Sequence, residues 1–143
     1  MATVGTLAAV VLILVIALFH GYFDPGRFEI KDAQWSSSKQ IAVVAERSDD
    51  QAMSSYSYFV LIGDHVFRPT ELRHAYHSSA RVFAADRSCL ALHWKSPRSL
   101  RVTCADGSIN PGDIDVQKRW VGDVEIVYKG IPVLSSEKGD LPK

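Results

Sequence analysis

The sequence predicts a mainly β domain with a minor α contribution, carried behind an N-terminal transmembrane helix. Three observations lead there. Residues 4–19 (VGTLAAVVLILVIALF) are apolar throughout, and no Lys, Arg, Asp or Glu precedes Asp24. Farther along, roughly six or seven short runs either alternate apolar and polar residues or are dense in β-branched and aromatic ones. Turn-forming residues separate these runs, among them Gly63-Asp64, Asp106-Gly107, Asn110-Pro111-Gly112 and Gly122-Asp123. Together they predict a small antiparallel β-sandwich or curled sheet with one short helix.

Residues 1–20 are expected to be the membrane anchor. The run meets the ~17–25 residues that a helix needs to cross a bilayer, and it lacks the polar stripe of a surface helix. A cleaved signal peptide carries a basic leader and a small-residue cleavage site. Here no Lys or Arg precedes the run, and Val15-Ile16-Ala17 continues into apolar Leu18 and Phe19. No Cys lies near position 20, which excludes lipoprotein processing. The reading is an uncleaved signal-anchor seated in the lipid bilayer through residues 4–19. Arg27 and Lys31 are too few to orient it. An extracytoplasmic domain is expected because an anchor at the extreme N-terminus serves as an export signal.

Residues 21–34 read as a juxtamembrane segment, with Tyr22 and Phe23 as interfacial aromatics and Asp24-Pro25-Gly26 as a turn. The β-rich domain is assigned to 35–131. Within it, Ile41–Ala45 (IAVVA) reads as a central strand, and Tyr56–Ile62 (YSYFVLI) as a strand buried on both faces at its end. Residues 69–77 (PTELRHAYH) form the one helical fragment. Thr70 is placed as its cap, and Leu72, Ala75 and Tyr76 share the face that packs on the sheet. Strands resume at 81–85 and continue through a hairpin over 90–103. A final strand holds Val124, Ile126 and Tyr128, preceded across Gly122-Asp123 by a strand near 118–121. Residues 132–143 read as a flexible tail.

The two cysteines, Cys89 and Cys104, pose a register problem. A turn centred between Ser96 and Pro97 sets them opposite each other. Matching apolar faces instead pairs Trp94 with Leu100 and Leu92 with Val102, which turns Cys104 inward beside Leu90 and sends Cys89 to the other face. The two arguments conflict unless a bulge intervenes, so the pair is either a disulfide or one buried cysteine and one reactive or capped one.

Sixteen basic and sixteen acidic residues balance, so the chain lacks the cationic surplus of a nucleic-acid binder. No G-x-S-x-G motif is present, and no glycine-rich loop opens a helix. Cys89 and His93 would stand about 13 Å apart along a strand, too far for proton transfer. Asp49-Asp50, Asp113 and Asp115 read as solvated loop carboxylates. Glu71, His74 and His77 recur at helical steps of three, with His65 upstream. A zinc site needs three or four converging ligands and C-x-x-C is absent, so neither metal nor cofactor is expected. The loop-plus-helix excursion from Gly63 to His77 is the favoured binding patch, represented by His65, Arg68, Arg73, His74, Tyr76 and His77.

The expected function is therefore that of a single-pass membrane protein displaying a protein-interaction module. Its partner would be another protein, either a component of a membrane complex or a toxin that the module neutralises. The alternative is a small membrane-tethered hydrolase or metal-dependent enzyme using His65, His74 and His77.

Overall fold

The structure is a computed structural model that describes residues 2–19, 24–49 and 55–134. The expectations for Tyr22, Phe23, Asp50 and the tail beyond residue 134 lie outside the described residues.

Helix α1 (Ala2–Phe19) has 18 residues and no charged side chain in its first or last turn. Most of its described side chains are exposed, Leu7, Ile13 and Leu18 among them. Among the described residues, no helix is long and apolar enough to cross a membrane, so the expected spanning helix over residues 1–20 finds no support in the structure.

The domain is three layers. Strands β1 (Arg27–Trp35), β2 (Ile41–Ser48), β3 (Tyr56–Gly63), β4 (Phe83–Ala85) and β7 (Ile114–Gln117) form one sheet in the order β1-β2-β3-β4-β7. Strands β5 (Leu90–Ser96), β6 (Ser99–Cys104), β9 (Val124–Lys129) and β8 (Trp120–Val121) form the second, in that order. Helix α2 (Pro69–Tyr76) covers the outer face of the first sheet, where Leu72 and Ala75 are buried.

This layering explains why β2 is apolar at every position from Ile41 to Ala45. Ile41, Val43 and Ala45 face α2, together with Phe59 and Leu61 of β3. Ala42 and Val44 face the second sheet, together with Val60, Leu100 and Val102. A strand with both faces covered needs no polar alternation. Burying each large side chain here contributes about 1.5–3 kcal/mol.

Three features differ from the sequence reading. Residues 27–34, assigned to a juxtamembrane segment, belong to β1, which pairs antiparallel with β2 and buries Phe28. Its outward positions are charged, and this masked its strand character. β6 and β9 pair in parallel, so the second sheet is mixed. Between them the chain makes a 3-10 turn at Pro111–Asp113 and runs through β7 in the first sheet. Parallel pairs need such long connections. Finally, α2 starts at Pro69 with Arg68 as its N-cap, and Glu71 Oε2 accepts the Arg68 amide at 2.6 Å. Thr70 therefore sits inside the first turn rather than capping it, because proline suits the first helical position.

The hairpin resolves its register through its apolar faces. Leu92 pairs with Val102, Trp94 with Leu100 and Leu90 with Cys104. Cys89 and Cys104 are nonetheless disulfide-bonded, with Cα atoms 5.0 Å apart. Cys89 precedes the first residue of β5, so strand alternation does not bind it and its side chain is free to turn inward.

Candidate functional site

The residues singled out between His65 and His77 divide into two groups on opposite flanks of α2. On one flank lies a shallow groove of about 460 Å³, lined by His65, Phe67, Thr70, Glu71, His74, Ala75, Ser78 and Ala80. Phe67, Ala75 and Ala80 supply its apolar surface, and the imidazoles, Glu71 and the two hydroxyls supply its polar rim. The loop that carries His65 is held by that histidine itself. His65 Nδ1 lies 2.6 Å from Asp64 Oδ1, and Nε2 lies 3.1 Å from Glu71 Oε1. The Asp64 hydrogen bond, followed by that from Glu71, raises the His65 pKa. This tie from loop to helix is therefore complete below the usual imidazole value near 6.5. It weakens as pH rises through the raised one. Val66, between His65 and Phe67 in the chain, is 60 % exposed, an apolar side chain offered to solvent.

The other flank is a polar staple around Asp24, whose side chain is only 4 % exposed. Oδ1 accepts the Gly26 amide at 2.8 Å and Arg47 Nη2 at 2.7 Å. Oδ2 accepts Arg47 Nε at 2.9 Å and faces His77 Nε2 at 2.7 Å. Arg47 also donates to Asp49 at 3.0 Å. These bonds, led by that of Arg47, hold the Asp24 carboxyl well below the usual carboxylate range. A carboxylate so saturated has no lone pair left to abstract a proton. His77 therefore donates to an ionised partner, and the cluster is a structural tie, not an acid–base pair.

Tyr76 is part of that tie. The guanidinium carbons of Arg47 and Arg81 lie 5.4 and 5.2 Å from its ring centre, and Phe28 and Phe59 pack at 5.8 and 5.3 Å. Arg73 stacks over Phe28 at 5.7 Å, with its Nε buried and without a hydrogen-bond partner. Arg68 is exposed at the helix N-cap. Of the six residues in the predicted patch, only His65 and His74 line the groove. Tyr76 and His77 build the opposite flank, and Arg73 covers the ring of Phe28.

Sequence reasoning missed Asp24 and Arg47 as partners. A signal for Arg47 existed: it shares strand parity with Val43 and Ala45, which places it on the face that α2 covers. Nothing local could have tied it to Asp24. The groove residues Phe67 and Ala80 also carried no pattern, since they flank the helix rather than belong to it.

A third cluster lies beyond α2. Cys89, Cys104 and Asp106 bring their ligand-type atoms within 4.8 Å of one another, the group of three or more such residues found among the described ones. His65, His74 and His77 do not converge in that way. Comparison of the chain with known protein families, with curated proteins and with solved structures finds no match.

Proposed function

We propose that the chain is a bilayer-tethered β-sandwich module that grips a protein partner in the α2 groove. The observation that carries this reading is the groove itself: apolar Phe67, Ala75 and Ala80, ringed by hydrogen-bonding side chains and adjoined by exposed Val66. Such a surface takes an apolar side chain of a partner segment while the rim pairs with its backbone. The tether is supported by the exposed apolar side chains of α1 between Leu7 and Leu18.

The test uses the full-length protein in its native membranes. A photo-crosslinking side chain at exposed Thr70 is expected to trap one discrete protein species. Ala80→Glu, at the exposed rim, is expected to cut that product about tenfold, the effect of losing one anchoring contact of about 1.4 kcal/mol. Crosslinking that is indifferent to Ala80→Glu overturns the groove as the binding site. Retention of the protein in alkali-washed membranes is the expected result for α1, and its release to the supernatant overturns the tether.

A further inference from the structure

The geometry points to a redox-gated metal site at Cys89, Cys104 and Asp106, closed while the disulfide is intact and able to take a zinc-like divalent cation once it is reduced. The donors come from two short segments. Cys89 ends the turn before β5, and Cys104, Asp106 and Ser108 follow one another at alternate positions where β6 runs into its turn. Asp106 Oδ1 stands 2.8 Å from Cys104 Sγ and accepts the Ser108 amide at 3.0 Å. With the sulfurs bonded, Cys104 has no proton to give, so a carboxylate held this close does no hydrogen-bonding work for the disulfide. Ser108 Oγ lies 3.7 Å from the same sulfur and offers a neutral oxygen as a fourth donor.

Cys104 is buried and held in the β6 ladder, whereas Cys89 is half-buried in a turn. The turn side can therefore move when the bond breaks. Tetrahedral zinc, with Zn–S near 2.3 Å, requires its two thiolates ~3.7 Å apart. A cleft of about 310 Å³ lined by Thr103, Cys104, Ala105, Lys129 and Gly130 lies beside Cys104. Two thiolates, one carboxylate and one neutral oxygen suit a borderline-soft divalent ion.

The chemistry balances with a dithiol as co-reactant. The dithiol gives two electrons and two protons to the Cys89–Cys104 bond and becomes a disulfide itself. The cation then displaces both thiol protons to solvent as it binds the thiolates. This site is separate from the α2 groove and does not depend on the partner proposed there.

The experiment compares oxidised and fully reduced full-length protein in mild detergent, with zinc and cobalt as probes. Reduced protein is expected to take one ion per chain, with cobalt showing thiolate charge-transfer and tetrahedral d–d absorption. Oxidised protein shows neither band. Asp106→Asn is expected to weaken zinc binding by at least about tenfold, since even groups that only orient a ligand cost that much, and to leave disulfide formation intact. Absence of cobalt charge transfer in protein with two titratable thiols overturns the site. Wild-type affinity in Asp106→Asn overturns it too. If reduction alone unfolds the domain, zinc is expected to restore its β circular-dichroism spectrum, and failure to do so counts equally against the site.

Discussion

Gly130→Ala is expected to destabilise the domain by about 3 kcal/mol and lower its melting temperature by roughly 10–20 °C. Gly130 follows β9 with φ at +70°. That conformation costs a residue with a Cβ about 1–2 kcal/mol. A Cβ there would also overlap the carbonyl oxygen of Cys104. Backbone cannot swing aside like a side chain, and Cys104 is held both by the β6 ladder and by its disulfide. The substitution therefore strains two strands at once. Gly107 provides the control, because its φ is +61° but nothing lies within 4 Å of the Cβ position. Gly107→Ala should cost only about 1 kcal/mol. Thermal unfolding followed by circular dichroism separates the two. Equal melting temperatures for both variants would show that the crowding at Cys104 is relieved at no cost.

Asp24→Asn is expected to remove about 2–3 kcal/mol at neutral pH. The amide keeps the shape of the carboxylate but replaces acceptor by donor on one side and withdraws the charge opposite Arg47. The guanidinium, whose side chain is 16 % exposed, then keeps only Asp49 as a charged partner. The pH dependence gives this prediction its signature. Folding holds the Asp24 carboxyl well below its usual range, so the native state binds its proton less readily than the unfolded chain. The stabilisation is complete above the ordinary aspartate value near pH 4 and is lost as pH falls through the depressed one. Wild-type and Asp24→Asn stabilities should accordingly differ most near neutrality and converge in acid. Denaturant titrations between pH 2 and 7 measure this. A constant gap across that range would mean that Asp24 contributes through shape alone.

These two positions also mark where sequence reasoning stopped. The apolar run at residues 41–45 announced a central strand and that at 56–62 a strand covered on both faces at its end, because continuous burial leaves no polar position. The Leu90–Thr103 hairpin was legible for a related reason: its apolar faces match in one register only. β1 was not legible, because Lys31, Asp32 and Gln34 face solvent or cross to the second sheet, as in the Asp32 carboxylate that accepts the Leu92 amide at 3.2 Å. The candidate patch was half legible. Helical spacing placed Leu72 and Ala75 inward correctly, yet it could not say that His74 and His77 fall on different flanks with different neighbours.

Local pattern thus determined the helix-forming apolar leader, the β character of the remainder and the position of α2, since each depends on periodicity within a few residues. Tertiary structure alone decided that Asp24 meets Arg47 and His77, that Gly130 lies against Cys104, and that Cys89 escapes strand alternation to reach Cys104. These are contacts between segments 15 to 53 residues apart. Their partners are chosen by how two sheets and a helix stack, and no short-range spacing in the chain encodes that stacking.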